Sequence, residues 1–223
     1  MKCMKLLTLQ KNTLMRNNLN IITTLLVTVV LFSCKEDPNK GPLPYYGEKS
    51  FVNGDTVNYQ IPEFKFFDQD SNAVTSTDLD PYIYVTDFFF TTCPSICPIV
   101  KKQMLRIYDK YKDNPKLKLV SHTLDPKRDT AGKLRKYAQK LKVSTEKWIF
   151  LTGDKDSLID MSANYFISAY EDDDAPGGID HSGLVVLIDT NRNVRASAQG
   201  TDPDDITEFL LDIDRLLMEY EKD

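Results

Sequence analysis

Cys93 and Cys97 lie three residues apart in the segment Phe88-Phe89-Phe90-Thr91-Thr92-Cys93-Pro94-Ser95-Ile96-Cys97-Pro98. Proline lacks an N–H and suits the first helical position, so Pro98 predicts a helix that begins there. Cys97 is then the expected N-cap, and Cys93 falls in the turn before it. Both sulfurs would sit at the positive end of a helix, where thiolates are stabilised and gain nucleophilicity and metal affinity. Two thiols so close in one turn can also come within disulfide reach. The pair therefore offers two chemistries: a Cys93–Cys97 dithiol/disulfide couple and a clamp for a soft metal. A purely structural disulfide is the poorer reading, because closing so small a loop restrains the unfolded chain little.

Other candidates are few. The chain has 223 residues with 4 Cys and 2 His. That excludes a disulfide scaffold and a histidine-rich metal store. His181 lies in Gly177-Gly178-Ile179-Asp180-His181-Ser182-Gly183, and His122 in Ser121-His122-Thr123-Leu124-Asp125-Pro126. His122 ends an apolar run and reads as structural.

The elements that must position these residues follow from periodicity. Tyr59 to Phe67 predicts a strand, and Asp68 to Asn72 a turn. Tyr82 to Phe90 is a near-continuous apolar run, the mark of a strand buried on both faces. From Pro98 to about Lys112, Val100, Met104, Ile107 and Tyr111 recur at helical spacing. Leu117 to Thr123 is a strand. Thr130 is placed to cap a helix through Leu141, and Asp154 to cap one through Ile167. Trp148 to Leu151 is a short strand between them. Leu184 to Asp189 and Val194 to Ala198 flank a hairpin turn. The last helix spans about Pro203 to Tyr220, with Asp204 and Asp205 at its positive end.

This order predicts an α/β class: a thioredoxin-like fold, with a central mixed sheet flanked by helices on both faces and an inserted helix–strand–helix. The cysteines then fall at the C-terminal end of a central strand, where open α/β sheets place their sites. In that layout the loop carrying His181 approaches the cysteine turn. Thiol-disulfide oxidoreductases of this fold usually have two residues between the cysteines and a proline in that loop; here there are three, and Gly177 to Leu187 contains no proline. A peroxiredoxin would carry Thr where Phe90 stands. Two thiolates and one imidazole suit copper: sulfur holds Cu(I), and nitrogen helps accept Cu(II). Three protein ligands leave a position open for transfer.

Three segments together, Phe88 to Pro98, Leu124 to Thr130 (LDPKRDT) and Asp180 to Asp189 (DHSGLVVLID), resemble the Sco/SenC family. The resemblance spans roughly Tyr59 to the end. It implies a copper chaperone of thioredoxin-like fold that serves the dinuclear copper centre of cytochrome c oxidase. It implies Cys93, Cys97 and His181 as copper ligands. It places Asp125 and Asp129 in a loop near the site, and Asp180 where it could orient or tune the histidine. Ser95 departs from the acidic residue common between the family's cysteines. The implied partner is a copper-receiving oxidase subunit or another copper chaperone. A second function uses the same residues: a thiol-disulfide reductase that keeps the cysteines of the copper-receiving protein reduced. A sensor switched by metal or redox state is a third.

The N-terminus reads as an address. Residues 1–33 combine Lys2, Lys5, Lys11 and Arg16 with the apolar run Ile21 to Phe32, too short for a comfortable membrane span but suited to a signal peptide. Leu31-Phe32-Ser33-Cys34 resembles the lipobox of bacterial lipoproteins, which makes Cys34 the expected lipidation site. Met15 is an alternative start that would remove Cys3. The expected location is the bacterial cell envelope, lipid-anchored outside the cytoplasm, on the periplasmic side, with Lys35-Glu36-Asp37 resembling a surface-export address. Residues 34–56, with several Pro and Gly, read as a flexible tether, and 57–223 as the domain. The whole chain has 28 basic and 33 acidic residues and a net charge of -5; without the four basic residues of the first 33 positions the charge becomes −9. That balance argues against nucleic acid as a partner. Glu171 to Asp174 form a solvated acidic turn or a docking face.

Overall fold

The computed structural model describes residues 41–52 and 54–221. The expected signal peptide, the expected lipidation site Cys34 and the Lys35-Glu36-Asp37 segment lie outside them. The described residues from Pro42 onward form one compact unit. No helix among the described residues is long and apolar enough to cross a membrane.

The central sheet has five strands in the order β11-β10-β5-β6-β7. β5 (Ile83–Phe89), β6 (Leu117–Thr123) and β7 (Trp148–Leu151) run parallel. β10 (Leu184–Ile188) is antiparallel to β5 and to β11 (Val194–Gln199). All seven residues of β5 are buried, as its continuous apolar run predicts. Alternation along β5 divides the molecule into two faces. Phe88 stacks on His122 and meets Tyr165 on one face. Phe89 meets Lys101, Tyr137 and Phe150 on the other.

That second face carries α2 (Cys97–Tyr111), α3 (Ala131–Leu141) and α5 (Pro203–Glu219). Arg106 donates to Thr207, and Lys110 and Tyr111 to Asp214, tying α2 to α5. The first face is covered near the end of α4 (Lys155–Asn164), where Tyr165 bonds Tyr84 at 2.9 Å. Asp154 caps α4 by accepting the Ser157 N–H at 2.9 Å. Thr130 occupies the N-cap of α3, but its side chain makes no capping bond. The mixed sheet flanked by helices is the expected α/β thioredoxin-like fold.

Several elements differ from the sequence reading. The strand expected over Tyr59 to Phe67 shrinks to β3 (Lys65–Phe67), paired with β4 (Ala73–Thr75). Pro62 has no N–H for a ladder. A short helix, α1 (Ser76–Leu79), follows β4. The helix expected through Ile167 ends at Asn164, and Phe166 then takes a positive φ of 60°.

The expected tether is not free along its length. Leu43 is buried, and its N–H donates to Glu219. The buried guanidinium of Arg195 joins Asp189 and Glu219 and donates to the carbonyls of Leu43 and Pro44. Tyr46 N–H bonds Val194 O at 3.0 Å. β1 (Ser50–Val52) and β2 (Asp55–Val57) then form a two-stranded hairpin. Hydrogen bonds to β11 and α5 outweigh the Pro and Gly content that suggested a loose linker.

Candidate metal centre

The cysteine turn grows from the end of β5. Ile96 is the N-cap of α2, and Cys97 is its first residue. Pro98 therefore takes the second helical position, one later than expected. Its missing N–H is still harmless there, because the first-turn N–H groups have no helical partners. Cys93 N–H bonds Phe90 O at 3.2 Å, which closes the turn.

The turn is pinned from beneath by Asp129, which is fully buried. Its carboxylate accepts the Thr91 N–H at 2.8 Å, the Thr91 hydroxyl, and the Thr123 hydroxyl at 2.8 Å. Asp129 thus joins the end of β6 to the residue two before Cys93. Asp125 does not reach the cysteines; it pairs with Arg128 at 2.7 Å within its own loop.

His181 arrives on a hairpin, where the sequence predicts a loop. β8 (Ala169–Glu171) pairs antiparallel with β9 (Ile179–His181). The acidic run Glu171 to Asp174 enters the connection between them. Gly177 sits there with a φ of 92°, and a Cβ on it would come within 2.7 Å of the Phe90 ring. The loop needs that glycine for backbone sign and for space. Strand alternation turns His181 inward and Asp180 outward. Asp180 is exposed and accepts a 2.7 Å bond from Tyr170, so no hydrogen bond from it orients the imidazole, while its charge still acts on the His181 pKa. The Ser182 carbonyl lies 3.3 Å from Nδ1 instead, and the Phe90 ring packs against the imidazole edge.

These elements bring Cys93, Cys97 and His181 together. One ligand atom from each lies within 4.8 Å of the other two, and all three residues are buried. The Cys97 Sγ to His181 Nε2 distance is 3.3 Å. Both cysteines are free thiols. Burial pushes the Cys93 thiol up, but the backbone and thiol of Cys97 and the backbone and hydroxyl of Ser95 together hold it below its ordinary value. Burial pushes Cys97 well up, and neighbouring Cys93 adds to the rise. Burial also lowers the His181 pKa, against the opposing pull of the Ser182 carbonyl, Asp87 and Asp180. A neutral imidazole is the form that ligates metal.

His122 is no part of this group. It is fully buried among Phe64, Phe66, Phe88 and Tyr165, with no hydrogen-bond partner on either nitrogen. Burial pushes its pKa down to about 3.

Lys101 and Asp87 stand beside the site although no sequence motif singles them out. Lys101 stands one helical turn after Cys97, only 3% exposed, and pairs with buried Asp87 at 3.0 Å. Ser121 completes the network: it accepts from Lys101 at 3.2 Å and from the Trp148 indole at 2.8 Å, and donates to Asp87. The ammonium lies 4.1 Å from the Phe89 ring centroid. The available signal was Asp87 itself, a carboxylate inside an otherwise apolar strand, which must find a partner when buried.

The SCO1/SenC family model matches residues 54–217. The chain belongs to the SCO1/SenC family. It is 34% identical to the SCO1 protein homolog of Bacillus subtilis over 107 residues, 48% of this chain and 55% of that relative. The chain thus spans about half the length of that relative. It is 31% identical over 183 residues to the SCO2-like protein RC0895 of Rickettsia conorii, covering 78% of this chain and 83% of the relative. Among solved structures, a SCO1/SenC family lipoprotein from Bacillus anthracis superposes with a TM-score of 0.65 at 26% identity, over 72% of this chain and 96% of that one. ScoI of Arabidopsis thaliana, solved with copper bound, gives a TM-score of 0.58 at 25% identity, over 69% and 98%.

Proposed function

We propose that this chain is a membrane-anchored copper chaperone that holds one copper ion between Cys93, Cys97 and His181 and passes it to the dinuclear copper centre of cytochrome c oxidase. The observation that carries the reading is the buried cluster of two thiols and one imidazole, its ligand atoms mutually within 4.8 Å. Soft sulfur donors with one nitrogen match copper better than magnesium, calcium or manganese. Copper is cargo here. Three protein ligands leave room for an incoming donor, so transfer proceeds by ligand exchange. The copper-bound solved relative supports the choice of metal. The anchor is a lipid on Cys34, placed in the cell envelope outside the cytoplasm by the basic and apolar pattern of residues 1–33.

The test is copper competition with a chromophoric chelator. His181→Ala should lower affinity by about 100-fold or more, as loss of a direct ligand exceeds the 10–100-fold cost of losing its supporting partner. Unchanged stoichiometry and affinity would remove His181 from the site. Transfer of copper from the purified protein to a receiving oxidase domain tests delivery.

A second reading, a thiol-disulfide reductase, is favoured by one observation: the thiols differ, with Cys93 held low and Cys97 high. The Cys93 thiolate would attack a partner disulfide and form a mixed disulfide. Cys97 would then lose its proton and displace the partner thiolate, leaving a Cys93–Cys97 disulfide and two electrons on the partner. Reduction by metal-free protein that is undiminished in His181→Ala selects this reading.

A further inference from the structure

A cavity of ≈ 290 Å³ opens beside the two sulfurs, lined by the cysteine turn, α2 and α3. No residue of the His181 hairpin lines it. Its walls are apolar, with Phe90, Leu105 and Tyr137. Its charges are all positive: Lys101, Lys102 and Lys140, and no acidic side chain. Lys101 is neutralised by Asp87. Lys102 and Lys140 are exposed at the rim and have no hydrogen-bond or ion-pair partner among the described residues. This stands out in a chain whose net charge is -5. The acidic run Glu171 to Asp174 lies on the other ligand-bearing element. An approaching acidic segment is therefore repelled at the Glu171 to Asp174 run and attracted to the lysine-rimmed groove that the two cysteines line.

We propose that this lysine-rimmed groove is the docking site for an acidic segment of the protein partner that exchanges metal with the Cys93–Cys97 turn. The inference rests on the chaperone reading and adds the chemistry of the partner. Acidic side chains of the segment pair with Lys102 and Lys140 at the rim. Its apolar residues enter between Leu105 and Tyr137. A donor atom on the segment is thereby carried to the sulfurs from the side that His181 does not occupy.

The experiment measures fluorescence anisotropy of a labelled peptide, Asp-Glu-Ser-Leu-Glu-Asp, with the purified full chain at low and moderate salt. Serine stands in for a donor cysteine, so docking is read without metal or disulfide exchange. Lys102→Glu combined with Lys140→Glu should weaken binding at least about ten-fold and abolish its salt dependence. Both positions are exposed, and copper stoichiometry of the double variant should match wild type. Equal binding by wild type and the double variant overturns the proposal, as does equal binding of an Asn/Gln version of the peptide. Self-association of wild type that the double variant loses would assign the groove to a second copy, and also overturns it. Failure of wild type to hold copper defeats the chaperone reading instead, and the peptide titration separates the two failures.

Discussion

The two platforms that meet at the metal centre are built differently. The cysteine turn extends a central strand whose seven residues are all buried, and Asp129 pins it through Thr91. Its helix packs over a buried ion pair. The His181 hairpin is a separate two-stranded ribbon, not hydrogen-bonded to the central sheet. Ser182 N–H to Ser168 O, at 2.9 Å, closes its base, and Ile179 and His181 are its inward residues. Two-stranded ribbons gain little stability by themselves. The contrast teaches a division of labour: the sulfurs are held by the core, and the imidazole rides on a separate short ribbon with little stability of its own.

The largest expected effect tests the core side. Lys101→Met leaves the Asp87 carboxylate buried without its cation, and removing one partner of a buried pair costs about 3–5 kcal/mol. Urea unfolding should show that loss, and a cost under about 1 kcal/mol would break the contrast. Next is acid lability from His122, whose folded pKa of about 3 lies far below the ordinary value. The unfolded state binds the extra proton, so this stability is complete above about pH 6.5 and declines by about 1.4 kcal/mol per pH unit below it, until the folded pKa is passed. His122→Phe, which keeps the aromatic cage, should flatten the acid limb; an unchanged limb assigns it to other groups.

Gly177→Ala tests the hairpin side. The new Cβ would meet the Phe90 ring and sit at an unfavourable φ, a strain of about 1–3 kcal/mol. If the hairpin opens independently, copper affinity falls while the unfolding midpoint of the domain barely moves. A matching fall in the midpoint would mean that the two platforms unfold as one. The smallest effect belongs to Tyr170→Phe, which removes an exposed bond to Asp180. It should change stability by less than about 0.5 kcal/mol and leave copper binding intact, in keeping with an outward-facing Asp180. Reduced copper affinity in that variant would mean that the Tyr170–Asp180 bond helps to hold the imidazole in place.

Most of the central architecture was legible in the sequence. The run over Tyr82 to Phe90 marks a strand buried on both faces because it is a near-continuous run of apolar, aromatic and β-branched side chains. Asp154 announces α4 because a carboxylate at that position has an N–H to accept. The β8–β9 hairpin was not legible. Its strands are three residues long, one is mostly exposed, and an acidic turn joins them, so neither period nor composition marks it. Lys101 was hidden for the opposite reason: a lysine on a helix is normally read as solvated, and only Asp87 across the packing interface makes its burial tolerable.

Local chemistry decided what the sequence could decide alone. Pro98 marks the first turn of a helix, two cysteines in one turn sit near each other, and a histidine ahead of a core strand lies at that strand's end. Those facts depend on neighbours along the chain. Tertiary structure decided which of the two histidines joins the sulfurs through a 3.3 Å approach. It also turned Asp129 toward the turn and Asp180 away from it, and left Lys102 and Lys140 facing a groove without acids. These outcomes depend on register and on packing between residues far apart in sequence, and no local pattern encodes them.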